Sequence, residues 1–282
     1  MRIGFSTNSI GDVDPLEAVA LLHDLGYRSL AITLDHDVLN PYGPNITVEA
    51  PRWRAALGAH GMACVVETGA RHLLDPHLKH EPTLVSAGVE ARERRIDFLT
   101  RAIDVATMLG AECVSLWSGV VRDAAGEEEL WSRLTASLAP VLEHARVRGV
   151  AIGFEPEPGM FVDTLARFDM LLDRVDAPDH LRLTVDLGHL VCMGERPAEE
   201  ALRPWLGRVV NVHVDDMLAC RHDHLPLGAG EVDFPPVIAA LADSGYAGGL
   251  HVELPRQSHR WLETARESAL FLHRLLPDRI PA

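Results

Sequence analysis

A single (β/α)8 barrel is the fold this sequence predicts, and three observations predict it. Eight short apolar strand signals alternate with longer amphipathic segments from one end of the chain to the other. Many of the helical segments close on a glycine just before the next strand, at Gly26, Gly61, Gly110, Gly149 and Gly245, where a left-handed C-terminal cap suits that residue. No composition break, long linker or low-complexity stretch divides the 282 residues, a usual length for one barrel of this kind. Residues 1–282 therefore read as one domain.

The elements follow in order. "RIGFS" from Arg2 is the first strand, and the amphipathic "PLEAVALLHDLG" leads to the second, "SLAITL" from Ser29. A polar loop from Asp35 to Ile46 comes next, and the third strand, "ACVVE" from Ala63, runs into another from Arg71 to Gly88. Both loops follow strands and are long enough to fold over a barrel mouth, where such folds keep their function. The helical "RERRIDFLTRAIDVATMLG" precedes "CVSLW" from Cys113. "VAIGFE" from Val150, "LRLTVD" from Leu181, "VVNVHV" from Val209 and "GLHVEL" from Gly249 complete the set. A doubly wound open sheet is the runner-up, but no G-x-G-x-x-G follows an early strand.

A net charge of −15, from 26 Lys and Arg against 41 Asp and Glu, repels phosphate backbones and argues against nucleic acid as a partner. Hydrophobic content of 47% and charged content of 24% are ordinary for a globular protein. The four cysteines, Cys64, Cys113, Cys192 and Cys220, form no CxxC pair and read as reduced thiols. No signal peptide precedes the first strand and no apolar run reaches membrane-spanning length, so a cytoplasmic protein with no membrane partner is expected.

Chemistry in such a barrel sits at the C-terminal ends of the strands. Strand five ends at Glu155, strand six at Asp186, strand seven carries His213 and strand eight ends with Glu253. A strand's period of two puts His251 on the face of Glu253, and Asn211 on that of His213. One strand-end carboxylate is usually a cap or an ion-pair partner, but four such residues on adjacent strands would need independent structural reasons to coincide. Packed together, they would repel one another and lose solvation, and one divalent cation relieves both penalties. Three carboxylates and an imidazole suit Mn²⁺ best, with Mg²⁺, Co²⁺ or Zn²⁺ as alternatives.

The runs "FEPEPG", "TVDLGH", "NVHVDD" with "DHLPLGAGEVDF", and "HVEL" resemble the xylose-isomerase-like barrel superfamily along nearly the whole chain. That group includes ketose 3-epimerases, inosose and hydroxypyruvate isomerases, some dehydratases and the apurinic endonucleases. The resemblance implies metal ligands at Glu155, Asp186, His213 and Glu253, with Glu155 and Glu253 doubling as catalytic acid and base. It also implies that His189, in the Asp-x-x-His element, contacts substrate. Further substrate-binding candidates are Glu157 in "EPEPG", Glu67 and Arg71 after strand three, His224 (with His222 nearby) and Trp117. For each, loop polarity or core packing is the competing explanation. Phe5 is a second candidate for an apolar wall, and Gly228 and Gly230 are candidates for backbone approach to a phosphate.

The expected reaction is proton transfer in a small hydroxy-carbonyl substrate, a sugar or cyclitol, through a metal-stabilised enediolate. Epimerisation, aldose–ketose isomerisation and dehydration all remain open, with dehydration the main alternative. The only lysine, Lys79, lies in a loop, which disfavours both Schiff-base chemistry and the lysine-assisted hydride shift of true xylose isomerases. The endonuclease branch adds histidine ligands at the ends of strands three and four, where this chain has Glu67 and Trp117-Ser118; His189 and His224 do match positions used there. A non-catalytic binding protein is the remaining rival. Many barrels of this type are homo-oligomers, dimers or tetramers, and these residues single out no number.

Overall fold

In the computed structural model, which describes residues 1–276, eight parallel strands close into a barrel. The strands are β1 (Arg2–Ser6), β2 (Ser29–Thr33), β3 (Ala63–Glu67), β4 (Cys113–Leu116), β5 (Ala151–Phe154), β6 (Leu181–Asp186), β7 (Val209–Val214) and, after a short hairpin, β10 (Gly249–Val252). Each pairs with its sequence neighbours, and β10 closes the ring against both β7 and β1. The hairpin, β8 (Asp216–Leu218) and β9 (Arg221–Leu225), follows β7 directly. All eight predicted strands are present. Around the barrel run α1 (Ala18–Asp24), α2 (Ile46–Ala59), α3 (Val89–Leu109), α4 (Glu127–Arg148), α5 (Leu165–Arg174), α6 (Leu187–Cys192), α7 (Ala198–Leu202), α8 (Phe234–Asp243) and α9 (Trp261–Leu275).

All five glycines expected at helix ends have positive φ, from 61° at Gly61 to 95° at Gly26, and Gly110 and Gly149 are the left-handed caps of α3 and α4. No helix among the described residues is long and apolar enough to cross a membrane.

Strand alternation divides the core in two. Outward residues such as Ile3, Leu30, Val66, Ile152 and Val212 are fully buried in the large apolar layer between strands and helices. Phe5 belongs to that layer, edge-on to Tyr27 at 5.3 Å, so it is no wall of the mouth. Inside the barrel the side chains are small or polar. Ala31, Val65 and Cys113 form a separate cluster, and His251 spans the interior between Asn211 and Ser29, 2.8 Å from each. Gly4 makes room for that ring, since a Cβ there would lie 2.3 Å from His251 Cδ2. A register shift between Leu183 and Thr184 lets β7 carry one extra residue against β6. Beyond the bulge Asp186 pairs with His213, so both reach the mouth at the same level.

Candidate metal centre

Each site residue stands where alternation sends its strand's last inward side chain. Glu67 ends β3 and Asp186 ends β6, while Glu155 and Glu253 lie one residue beyond β5 and β10. The latter two keep the ladder: Glu155 N–H donates to Leu116 O and Glu253 N–H to Val214 O. Such short, buried strand ends leave little freedom to the side chains they carry.

His213 is the hub. Its Nδ1 lies 2.9 Å from Glu155 Oε1 and 2.9 Å from Glu253 Oε2, and its Nε2 lies 2.9 Å from Glu67 Oε1. Asn211 Nδ2 donates to the same Glu67 oxygen at 2.9 Å, and Asn8 Nδ2 donates to Glu253 Oε1. Asp186 joins them by capping α6, where its Oδ1 accepts from His189 N–H at 2.9 Å; its Oδ2 is buried without a partner. One ligand atom from each of Glu155, Asp186, His213 and Glu253 lies within 4.8 Å of all the others. The four residues singled out in the sequence therefore converge.

The protein's own charges show what this arrangement lacks. Burial alone would lower the His213 pKa, but Glu155, Glu253 and Glu67 outweigh it and hold the imidazole well above its ordinary range. Burial pushes Glu155 up to about 8, against the offsetting charge and hydrogen bond of His213. Burial also works to raise Glu253, yet His213 prevails and keeps that carboxyl below the usual range. The site thus calls for positive charge, which one imidazolium supplies only in part. A divalent cation fits this donor set: three hard carboxylates, one imidazole, and an acceptor oxygen at Asp186 with no donor to meet it. Glu67 on the far nitrogen of His213 is the partner a metal-binding imidazole ordinarily has.

A cavity of about 620 Å³, within the usual range for small-molecule sites, opens above the carboxylates. Glu67, Arg71, Trp117, Glu157 and His224 line it, as do Glu155, His213 and Glu253. His189 is buried beside Glu155 and Glu157, 3.8 Å from each and 3.1 Å from His222, and does not itself line the cavity. Burial lowers its pKa to about 3 and that of His222 to about 4, so both are neutral at ordinary pH. Trp117 is edge-on to His80 and covered behind by the buried Arg95, 4.3 Å from its ring. Gly228 and Gly230 turn their N–H groups on the carboxylate of Asp216, at 2.9 and 2.8 Å, so these amides fold the loop and are not turned to a phosphate. Any side chain at Gly230 would strike Asp216 and Met217, at 2.4 and 2.6 Å.

Three residues of this region were not singled out. Asn8 lies two positions past β1, and the strand-end rule applied to strand one would have found it. His80 reaches the cavity from the middle of a long loop, for which the sequence has no signal. Asp215, one residue beyond β7 and fully buried, follows His213 by the same step of two that places Asn211, so strand alternation would have found it.

A family model for the xylose isomerase-like TIM barrel matches residues 19–275. Curated relatives include an inosose dehydratase of Lacticaseibacillus casei, 32% identical over 143 residues that make up 45% of this chain and 47% of the relative. An inosose dehydratase of Clostridium perfringens is 31% identical over 143 residues, 45% of this chain and 48% of the relative. The chain thus spans about half the length of the curated relatives it matches. Among solved structures, the IolI protein with a bound zinc atom superposes with a TM-score of 0.79 at 17% identity, covering 98% of each chain. A D-tagatose 3-epimerase-like protein does so with a TM-score of 0.79 at 18% identity over the whole of both chains. The apo 3-keto-D-glucoside 4-epimerase of E. coli gives a TM-score of 0.76 at 17% identity, covering 97% of this chain and 99% of its own. At such identities the likeness is one of fold.

Proposed function

The chain belongs to the xylose isomerase-like TIM barrel family, and from that premise we propose a divalent-metal-dependent isomerase or epimerase of a sugar, cyclitol or small hydroxy-carbonyl compound. One observation carries the proposal: Glu155 and Glu253, from strands on either side of β6 and β7, approach the same nitrogen of His213 at 2.9 Å, under a cavity large enough for a monosaccharide. When bound by Glu155, Asp186, His213 and Glu253, a cation, with Mn²⁺ the best match to the donors, makes the hydrogen α to a substrate carbonyl more acidic. Glu253, kept ionised and held by Asn8, removes that proton. Glu155 returns one at the same carbon from the other face, which inverts it, or at the neighbouring carbon, which moves the carbonyl once that end's hydroxyl proton has passed to the former carbonyl oxygen. Glu157, backed by His189, and His224 orient the substrate hydroxyls, and Trp117 offers a flat face for the carbon skeleton.

A second reading has its own support, because curated relatives matching half of the chain are named inosose dehydratases. The same deprotonation then ends with loss of the β-hydroxyl as water, with Glu155 supplying the proton to the leaving oxygen. Product analysis in D₂O separates the two. Manganese-loaded protein is incubated with a panel of ketoses, cyclitol ketones and hydroxy acids, and the products are read by NMR and mass. An isomer bearing one solvent deuterium at the reacting carbon is expected. A product lighter by one water supports the dehydratase. If no member of the panel exchanges a proton or forms product, the chain binds without turnover and both readings fail.

A further inference from the structure

We propose that Cys192 and Cys220 form a redox-modification site, at which an oxidant of the hydroperoxide class joins them in a reversible disulfide that clips the β8–β9 hairpin to the end of α6. Both carry free thiols in this structure.

Cys192 is the last residue of α6, and Cys220 lies in the two-residue turn, Ala219-Cys220, between β8 and β9. Residues 193–219 separate them along the chain, yet the Cys220 N–H donates to the Cys192 carbonyl at 3.0 Å. A peptide contact of this length holds the two Cα atoms roughly within the 4.4–6.8 Å that a disulfide spans. The sulfurs are neighbours too. Burial raises the pKa of the Cys192 thiol, the charge of Cys220 adds to the rise, and the Arg221 N–H opposes it, so both residues of the turn stand close to that sulfur. Cys64 and Cys113 have no such arrangement: one belongs to the outer apolar layer and the other to the barrel interior, on opposite sides of the barrel wall.

Exposure sets the order of events. Cys220 is exposed and Cys192 is buried, so an oxidant in solution meets Cys220 first. The Cys220 sulfur takes the outer oxygen of the peroxide and becomes a sulfenic acid, and the peroxide is reduced to an alcohol or to water. The Cys192 sulfur then attacks the Cys220 sulfur. The S–S bond forms, the S–O bond breaks, and the departing hydroxide takes the Cys192 proton as water. Two electrons pass from the pair of sulfurs to one peroxide.

The turn itself gives no reason for a cysteine. Cys220 has φ of 59°, a left-handed conformation in which two-residue turns ordinarily place glycine or asparagine. Its thiol, placed beside Cys192, supplies the reason. The clip would also reach the cavity. The hairpin carries His222 and His224 to the cavity wall, and His222 Nε2 lies 3.1 Å from Nε2 of His189 on α6. A covalent tie between the two elements fixes that contact and removes freedom from the unfolded chain.

Peptide mapping of the full-length, metal-loaded protein tests this. After hydrogen peroxide under native conditions and blocking of the remaining thiols with iodoacetamide, one peptide pair joined through Cys192 and Cys220 is expected, and dithiothreitol should separate it. The oxidised protein should melt several degrees higher, and the amides of residues 216–225 should exchange with D₂O several-fold more slowly. Cys220→Ser, at an exposed position, should fold as before and show neither change. Survival of both thiols in excess peroxide would overturn the proposal, as would Cys220 driven to a sulfinic acid or joined to a second chain while Cys192 stays a thiol. A bond that forms without raising Tm or slowing exchange would overturn it equally. None of these readouts involves turnover, so each is independent of the reaction proposed above.

Discussion

Replacing Glu253 with Gln is expected to lower kcat by about 10³-fold or more, with substrate binding changed far less. Gln keeps the volume and one oxygen, which can serve either the ligand position or Asn8 but not both. It cannot accept a proton from carbon. General base catalysis contributes typically about 10²–10⁴-fold, and of the two glutamates Glu253 is the one whose carboxyl is held below the usual range, because His213 outweighs the burial that works against its charge. Glu155→Gln should cost a similar factor for a different reason, the loss of the proton that this carboxyl donates. In the epimerase reading both variants still exchange one hydrogen with solvent at a residual rate, each from the face served by its surviving partner. Steady-state kinetics with metal content measured on the same samples checks this. Full turnover in either variant, with metal retained, would remove that residue from the chemistry.

Chelation is the second large effect. Stripping the protein with EDTA should abolish turnover below detection, and Mn²⁺ should restore it. Stability should follow, because the ion screens carboxylates that otherwise face one another across His213, 2.9 Å from each. Binding at 100 times Kd stabilises by about 2.7 kcal/mol. For a chain near this size each kcal/mol moves Tm by roughly 2–4 °C. Thermal melts with and without Mn²⁺ should therefore differ by several degrees. A melt insensitive to metal would mean that the carboxylates are neutralised by protons alone.

The barrel was legible in the sequence because its signals repeat. Apolar strand runs recur eight times, with helical periodicity between them and terminal glycines at five of the helix ends, and each occurrence supports the next. The same regularity exposed Glu155, Asp186, His213 and Glu253, since a strand of known direction and period leaves its last inward residue at one mouth. Other features depend on irregularity. The extra residue in β7 that sets Asn211 and His213 level with Thr184 and Asp186 leaves no mark on the pattern of "VVNVHV". The packing of Phe5 against Tyr27 follows from parity along β1, and its nearness to the strand end said nothing of that. Nothing in the spacing of Gly228 and Gly230 shows that Asp216, twelve and fourteen residues earlier, occupies their N–H groups. Glu67 looked like one more substrate contact, yet its oxygen bonds His213 and Asn211 while still lining the cavity.

The most direct test is a crystal structure of the manganese-soaked protein with data collected at the Mn absorption edge. An anomalous peak is expected about 2.0–2.4 Å from a ligand atom of each of Glu155, Asp186, His213 and Glu253. No peak among these four side chains, or a peak that touches only one or two of them, would contradict a shared cation and the chemistry derived from it.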